Sequence, residues 1–465
     1  MTNPQHYEAI VLGAGQAGGP LSVALARAGW KTVIVEREHV GGTCINEGCT
    51  PTKTMVASAR VAYLARRAGN YGVSTGPVTV DMREVRARKR KIVDAWRARD
   101  QHHLEHTPGL TLLLGEARFT APNLVEVRLN TGATVVLSAE KIFINTGARP
   151  AVPAIPGLDA VPTLTSTSIM ELEFLPDHLL IIGGGYVGLE FGQMFRRFGS
   201  AVAIVQDAKQ VLPKEDLDVA DEMTKILRED GIDILLETTV ERVERVPVDR
   251  IQLVTRNATS REPRILNGSH LLVATGRVPN TDRLNLQAAG IRTTPHGFVQ
   301  VDEQLATNVP GIYALGDVNG GPAFTHISYD DFRILKTNLL DGGHAVTRGR
   351  LIPYTIYTDP QLGRVGLTES ETQRDGRAIR IAKLPMTSVA RALEVDEPRG
   401  FIKAIVDAES RQILGAAVLG IEGGEVMSII EVAMLGQIPY PVLQTGIFAH
   451  PSLAESLNNL FARLT

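Results

Sequence analysis

The sequence predicts an α/β protein in which one strand–turn–helix–strand unit occurs twice, followed by a smaller α+β region. Three observations carry this. A chain of 465 residues is too long for one hydrophobic core and divides into roughly three domains. Two glycine-rich turns of equal spacing each follow a buried-type apolar run and open a helix. From Leu351 onward, short strands such as FIKAIVD and ILGAAVLG alternate with the helical pattern EVMSIIEVAMLG.

The first unit is YEAIVLGAGQAGGPLSVALARAGWKTVIVERE. Residues 9–12 form a buried strand, Gly13, Gly15 and Gly18 make G-x-G-x-x-G, and a small-residue helix ends at Gly29. The strand TVIVE then finishes on Glu36. Gly13 permits the tight turn, Gly15 lets the main chain approach a pyrophosphate, and Gly18 lets helix and strand pack closely. The helix N-terminus offers N–H groups and the positive end of its dipole to the phosphates. Glu36, 18 residues beyond Gly18, is placed to accept from both ribose hydroxyls.

The second unit, HLLIIGGGYVGLEFGQMFRRFGSAVAIVQD, repeats the spacing at Gly183, Gly185 and Gly188. The position matching Glu36 is Gln206. A carboxylate there favours the free 2′-hydroxyl of NADH and repels the 2′-phosphate of NADPH. Gln206 removes that repulsion, with Asp207 and Lys209 as the nearby charges. NADPH is slightly favoured, and use of NADH stays open.

Two such units imply two dinucleotides. If one is a flavin, FAD, the chain should return to the first domain to contact it. The segment ATNVPGIYALGDV (306–318) suits this, a short apolar strand ending in Gly316–Asp317 whose aspartate is placed to bond a ribitol hydroxyl. A surface strand capped by an Asp turn is the plainer alternative. INTGARP (144–150) and VATGRVP (273–279) resemble each other: a buried strand, a Thr-Gly turn, then Arg and Pro. They read as matching exits, with Thr146, Gly147 and Gly276 at the turns. The expected domains are therefore 1–150 (FAD-binding), 151–275 (NAD(P)-binding), 276–345 (return to the FAD domain) and 346–465 (interface).

Composition narrows the function class. At 44% hydrophobic and 21% charged the chain reads as a soluble globular protein. A net charge of −3 gives no overall reason to bind nucleic acid or anionic membrane. No apolar run approaches the roughly 20 residues of a membrane helix. The opening MTNPQHYEAIVLGAG runs almost directly into a strand, so a cytoplasmic protein is expected. The basic stretch REVRARKRKIVDAWRAR (83–99) reads as an amphipathic helix with Val85, Ile92 and Trp96 on its apolar face and a solvated basic face. His102, His103 and His106 read as surface rather than as a metal site.

Both cysteines lie in GGTCINEGCTPTK, residues 41–53. By spacing alone they are half a metal site, a staple, or a pair that opens and closes in a reaction. Asn46 and Glu47 make a poor zinc set, so no metal ligands are assigned. Two cysteines in so long a chain are no disulfide framework, which fits a reducing compartment.

With these motifs in place, the chain resembles the flavoprotein disulfide reductase family over essentially its whole length. That family includes glutathione reductase, dihydrolipoamide dehydrogenase and mercuric reductase. GGTCINEGCTPTK resembles its redox-disulfide signature, GGGYVGLE (183–190) its nicotinamide-binding turn, and GIFAHPSLAES (446–456) its C-terminal His-Pro motif. The resemblance implies a glutathione-reductase-like homodimer that binds FAD and NADPH or NADH. It implies that Gly42 and Thr43 pass close to the flavin, that Cys44 is the outer thiol attacking substrate, and that Cys49 lies against the flavin. It further implies that Lys53 sits near flavin N5 and pairs with Glu190, and that Tyr186 covers the nicotinamide pocket. His450, from the other subunit, would be the general acid–base, oriented by Glu455.

The chemistry stands beside the resemblance. Only a thiolate is a good nucleophile, and a thiol of pKa about 8.5 is mostly protonated at neutral pH. A histidine can take that proton and return it to a leaving thiol, and a carboxylate on its far nitrogen fixes the tautomer. The electron acceptor is left open between a disulfide and a metal ion. IYTDPQLGRVGLTE, RGFIKAIVD and IFAHPSLAESLNNLF most resemble a mercuric-reductase-like bacterial branch that includes the reactive chlorine resistance flavoprotein. The chain has no second cysteine pair of the kind that delivers mercury. Phe448 and Gln206 depart from the dihydrolipoamide dehydrogenase pattern. A reductase of small disulfides and a thiol redox sensor are the alternatives.

Overall fold

The computed structural model describes residues 3–247 and 250–464. They form two compact units. One comprises the residues up to Thr54, Ala87–Ala151 and Gly276–Arg350; the other comprises Met55–Arg86, Val152–Thr275 and the residues from Leu351 on.

In the first unit a parallel sheet runs Leu110–Ala121, Thr32–Glu36, Gln5–Leu12, Thr134–Ile144, Ile312–Ala314 in space. Successive residues of the central strands face opposite layers, and both layers are apolar because a parallel sheet is covered on both faces. Ile10, Leu12, Val33 and Val35 pack on one side. Ala9, Val11 and Ile34 pack on the other, against Leu21 and Leu25 of helix Gly18–Arg27 and Phe332 and Leu335 of helix Thr325–Leu339. Leu124–Leu129 joins the far ends of the two long strands into an antiparallel meander.

The second unit repeats this plan. Asp233–Leu235, Ala201–Val205, His178–Ile182, His270–Val273 and Thr163–Leu164 form a parallel sheet in that order, with a three-stranded antiparallel meander of Thr238–Val246, Arg250–Asn257 and Pro263–Gly268. A separate five-stranded antiparallel sheet follows, ordered Tyr354–Ile356, Gln361–Gly366, Ile413–Gly420, Phe401–Asp407, Ile379–Pro385. Helix Gly423–Leu435 buries Val426, Met427 and Ile430 in the same core as that sheet. The fold is α/β with a C-terminal α+β portion, as the sequence predicts.

The two similar exits pair with each other. Ala148–Pro150 and Arg277–Pro279 form a two-stranded antiparallel ribbon, closed by the Ala151 amide on the Gly276 carbonyl at 2.9 Å. One expectation needs correction. The basic stretch is the helix Met82–Glu105, but Trp96 is 45% exposed and carries Arg99 over its ring. Its buried positions are Met82, Lys89, Val93 and Leu104, a stripe that continues the Met82 register and leaves Trp96 outside.

Candidate active site

The first glycine turn is built by contacts that admit no side chain. A Cβ on Gly18 would stand 2.2 Å from the Gly13 carbonyl oxygen, and one on Gly13, at φ +101°, would stand 2.4 Å from that of Asn145. Asn145 is buried and holds the turn from below. Its Oδ1 accepts from the Gly18 amide at 2.8 Å and its Nδ2 donates to the Leu315 carbonyl at 2.7 Å. One side chain thus ties the helix start to the returning strand. Glu36 closes the turn from above: Oε2 accepts from the Ala14 amide and Oε1 from the Glu38 amide, both at 2.9 Å. Each oxygen keeps acceptor capacity for a ribose hydroxyl.

The cysteine loop lies directly on this turn. A Cβ on Gly42, at φ +61°, would meet the Gly15 Cα at 2.8 Å, and the Gly41 amide donates to the Ala14 carbonyl at 2.8 Å. Thr43 and Cys44 lie in the short helix Gly42–Asn46, and Cys49 starts the 18-residue helix Cys49–Arg66, with Lys53 one turn further on. Both cysteines are present as thiols. Cys49 Sγ lies 3.4 Å from Thr325 Oγ1, at the start of helix Thr325–Leu339. The Cys44 thiol is pushed up from its ordinary value, first by its hydrogen bond with Cys49 and then by burial. The Thr325 hydroxyl and the Lys53 ammonium pull it the other way.

The return segment arrives beside the same turn. Gly316, at φ +74°, donates its amide to Asp331 Oδ2 at 2.8 Å, and a Cβ there would meet Asn145 Nδ2 and Ser328 Oγ at 2.9 Å. Asp317 follows, 3.6 Å from Arg277; burial pushes its carboxyl up, partly offset by that guanidinium. Thr146 Oγ1 donates to the Asn280 carbonyl at 3.0 Å and Gly147 has φ +67°, with open space where a Cβ would stand.

In the second unit the turn recurs nearly atom for atom. A Cβ on Gly188 would stand 2.1 Å from the Gly183 carbonyl oxygen, and one on Gly183 would stand 2.4 Å from that of Ala274. Gly185 caps helix Tyr186–Phe198 and, like Gly276, faces open space. Gln206 Oε1 accepts from the Gly184 amide at 2.7 Å, the bond that Glu36 makes to Ala14. With Oε1 committed, the other amide atom of Gln206 is an N–H donor rather than an acceptor. Glu190 is buried in this unit and its Oε1 accepts from the Tyr357 amide at 2.8 Å. His450 and Glu455 form a local pair, Nδ1 to Oε2 at 2.8 Å, with the imidazole well exposed.

This pairing of two glycine turns with a C-x4-C loop agrees with the family comparison. Residues 7–331 match the model for the pyridine nucleotide-disulphide oxidoreductases, and residues 352–461 match that family's dimerisation domain. The chain belongs to this family. A probable pyridine nucleotide-disulfide oxidoreductase of Escherichia coli (strain K12), RclA, is 39% identical, with 98% of this chain and 99% of that protein aligned. A mercuric reductase of Lysinibacillus sphaericus is 33% identical over 98% of this chain and 82% of its own length. The solved structure of the Cu(II) complex of the HOCl-induced flavoprotein disulfide reductase RclA from Escherichia coli superposes with a TM-score of 0.90 at 38% identity, covering 99% of both chains.

The protein is thus a pyridine-nucleotide-dependent flavoprotein disulfide oxidoreductase with a glutathione-reductase-like fold. The family implies FAD and a pyridine nucleotide, and the first turn fits the flavin nucleotide. Gly13, Gly18 and Gly42 pack the main chain where side chains would intrude, and Glu36 brings its carboxylate to the turn. Two residues of this site carry no sequence signal strong enough to find them. Asn145 sits inside INTGARP, and Thr325 lies 276 residues from the cysteine it touches.

Proposed function

We propose that the protein takes two electrons from NADPH and passes them by way of FAD to the Cys44–Cys49 pair. From there they reach a soft, redox-active metal ion. The observation that carries this reading is the cysteine loop seated on the first glycine turn, with Gly42 against Gly15 and Cys49 beside Thr325. Bound FAD supplies the relay between a two-electron nicotinamide donor and a dithiol.

The chain's own residues do the rest. Gly13, Gly15, Gly18, Gly42 and Thr43 seat the flavin nucleotide, Glu36 and Asp317 bond its hydroxyls, and Thr146, Gly147 and Gly316 line the return. Gly183, Gly185 and Gly188 seat the nicotinamide nucleotide under Tyr186. Gln206 presents N–H where a carboxylate would repel a 2′-phosphate, which favours NADPH. Lys53 supplies a cation toward the flavin, and Glu190 is a buried carboxylate of the nicotinamide unit. Cys49 receives electrons and Cys44 delivers them.

Because burial and Cys49 hold the Cys44 proton, Cys44 needs a base before it can act as a nucleophile. His450 from a second copy, oriented by Glu455, accepts that proton. Re-oxidation then balances as a dithiol and two Cu(II) giving a disulfide, two Cu(I) and two protons. A dithiol suits soft acceptors, and the RclA structure in complex with Cu(II) supports this class. Residues 1–150 and 276–345 form the flavin domain in this reading, 151–275 the nicotinamide domain and 346–465 the homodimer interface.

The test is a panel of Cu(II), Hg(II), lipoamide and glutathione disulfide scored by NADPH oxidation. A metal ion should be the fastest acceptor. A disulfide turning over faster would overturn that choice, and failure of every acceptor would favour a slow thiol sensor. Cys49→Ser should abolish the long-wavelength absorbance that NADPH raises; its persistence would remove Cys49 from the flavin face.

A further inference from the structure

The helix Gly42–Asn46 that carries Cys44 has only five residues, too few to hold its shape without outside ties. Asn46 provides them. Its Nδ2 donates to the carbonyls of Val40 at 3.0 Å and Gly42 at 2.9 Å, so both amide hydrogens close the loop on itself. Its Oδ1 then accepts from Arg97 Nε at 2.7 Å. The amide orientation follows from chemistry, since two carbonyls require donors and a guanidinium offers only donors. Arg97 comes from helix Met82–Glu105, one turn beyond buried Val93, and its side chain is only 27% exposed. From the same helix, Arg88 Nη1 donates to the Thr54 carbonyl at 2.8 Å, just past Lys53. The basic helix therefore grips the redox loop on one side of Cys49 and the following helix on the other.

We propose that Arg97 is a positioning residue that sets the dithiol–disulfide equilibrium of Cys44 and Cys49, acting through Asn46. The tie is made with both cysteines as thiols. Oxidation removes two electrons and two protons and joins the sulfurs, so Cys44 and Cys49 must approach while Asn46 holds the segment between them to Val40, Gly42 and Arg97. Arg97 is itself held by Asp94 Oδ1 at 3.5 Å on its own helix, which fixes the donor that Asn46 accepts. Holding the segment in this shape stabilises the dithiol. This rests on Cys44–Cys49 being the redox pair.

The experiment equilibrates full-length holoenzyme in glutathione buffers of graded ratio, where dithiol and glutathione disulfide give protein disulfide and two glutathione molecules. Maleimide mass labelling counts the thiols. Arg97→Met should shift the equilibrium three- to tenfold toward disulfide, tenfold corresponding to about 30 mV for a two-electron couple. Asn46→Ala should shift it similarly, and the double variant no further than Asn46→Ala alone. If Arg97→Met does not fold, Arg97→Lys should give a smaller shift in the same direction. A wild-type pair that oxidises normally, with variants within twofold of it, would overturn the role of Arg97. A wild-type pair that never oxidises would overturn the redox-pair reading itself.

Discussion

Gln206 and Glu36 stand at matching positions and differ by one atom. The Gln206 oxygen makes the bond to Gly184 that Glu36 makes to Ala14, so only the second atom of the side-chain fork differs. Gln206→Glu should restore an acceptor and raise KM for NADPH at least roughly tenfold while sparing NADH, because like charges at close range are strongly disfavoured. Initial rates with both nucleotides decide this, and an unchanged ratio would remove Gln206 from the specificity set. His450 gives a second test at this scale. His450→Ala should slow oxidation of the dithiol by about 10²–10⁴-fold and leave flavin reduction by NADPH nearly unchanged. Stopped-flow separates the two steps, and equal slowing of both would sink the acid–base role.

Cys44 carries a pH consequence. Its thiol is held up in the folded state, whereas the unfolded thiol ionises near about 8.5. The folded state therefore binds that proton more tightly, and its contribution is complete below the unfolded value. Stability of the reduced protein should fall as pH climbs past about 8.5, because the unfolded chain releases the proton first. Urea midpoints at pH 7 and pH 9.5 measure this. Cys44→Ser should flatten the difference.

Among the elements, the glycine turns were legible in sequence because their requirements are local. The spacing of Gly13, Gly15 and Gly18 encodes contacts within one turn of chain, and the His450–Glu455 pair spans only five residues. Asn145, Thr325 and Arg97 act on chain segments 51 to 276 residues away, and nothing in a single sequence marks such distances. The basic helix buries a different face from the one its pattern suggests. Trp96 fits an apolar stripe by type, yet Lys89 takes the buried position. Aliphatic stems of long cations cover core as readily as aromatics do. Two substitutions test the turn. Gly18→Ala forces a methyl onto the Gly13 carbonyl and should cost about 1–3 kcal/mol. Asn145→Ala leaves a buried amide and a buried carbonyl unpaired and should cost roughly 1–3 kcal/mol for each. Thermal melts of the holoprotein report both, and FAD retention should fall alongside.

For the whole molecule, function in this reading depends on a second copy. The segment that matches the dimerisation domain leaves Val432, Leu435, Val442 and Ile447 exposed, the last of them fully. A partner surface would cover them. Complementation then makes a sharp test. If each site takes its cysteine from one subunit and its histidine from the other, neither Cys44→Ser nor His450→Ala homodimers should turn over appreciably, whereas a mixed dimer holds one intact site. Co-expressed, differently tagged subunits should recover about half of the wild-type activity per mixed dimer, as one of two sites implies. No recovery would place His450 outside the partner's site.

The short ribbon between Ala148–Pro150 and Arg277–Pro279 has an evolutionary reading. The chain departs at Ala151 and comes back at Gly276, side by side at the end of a ribbon of three residue pairs. Residues 152–275 therefore begin and end at neighbouring points of the chain, the spacing of termini that tolerates domain insertion. A duplicated nucleotide fold can be spliced into an ancestral loop at such a point without rerouting the host strands. The resemblance of INTGARP to VATGRVP reads, on this view, as the corresponding strand of the two copies, each pairing beside the strand that opens its glycine turn.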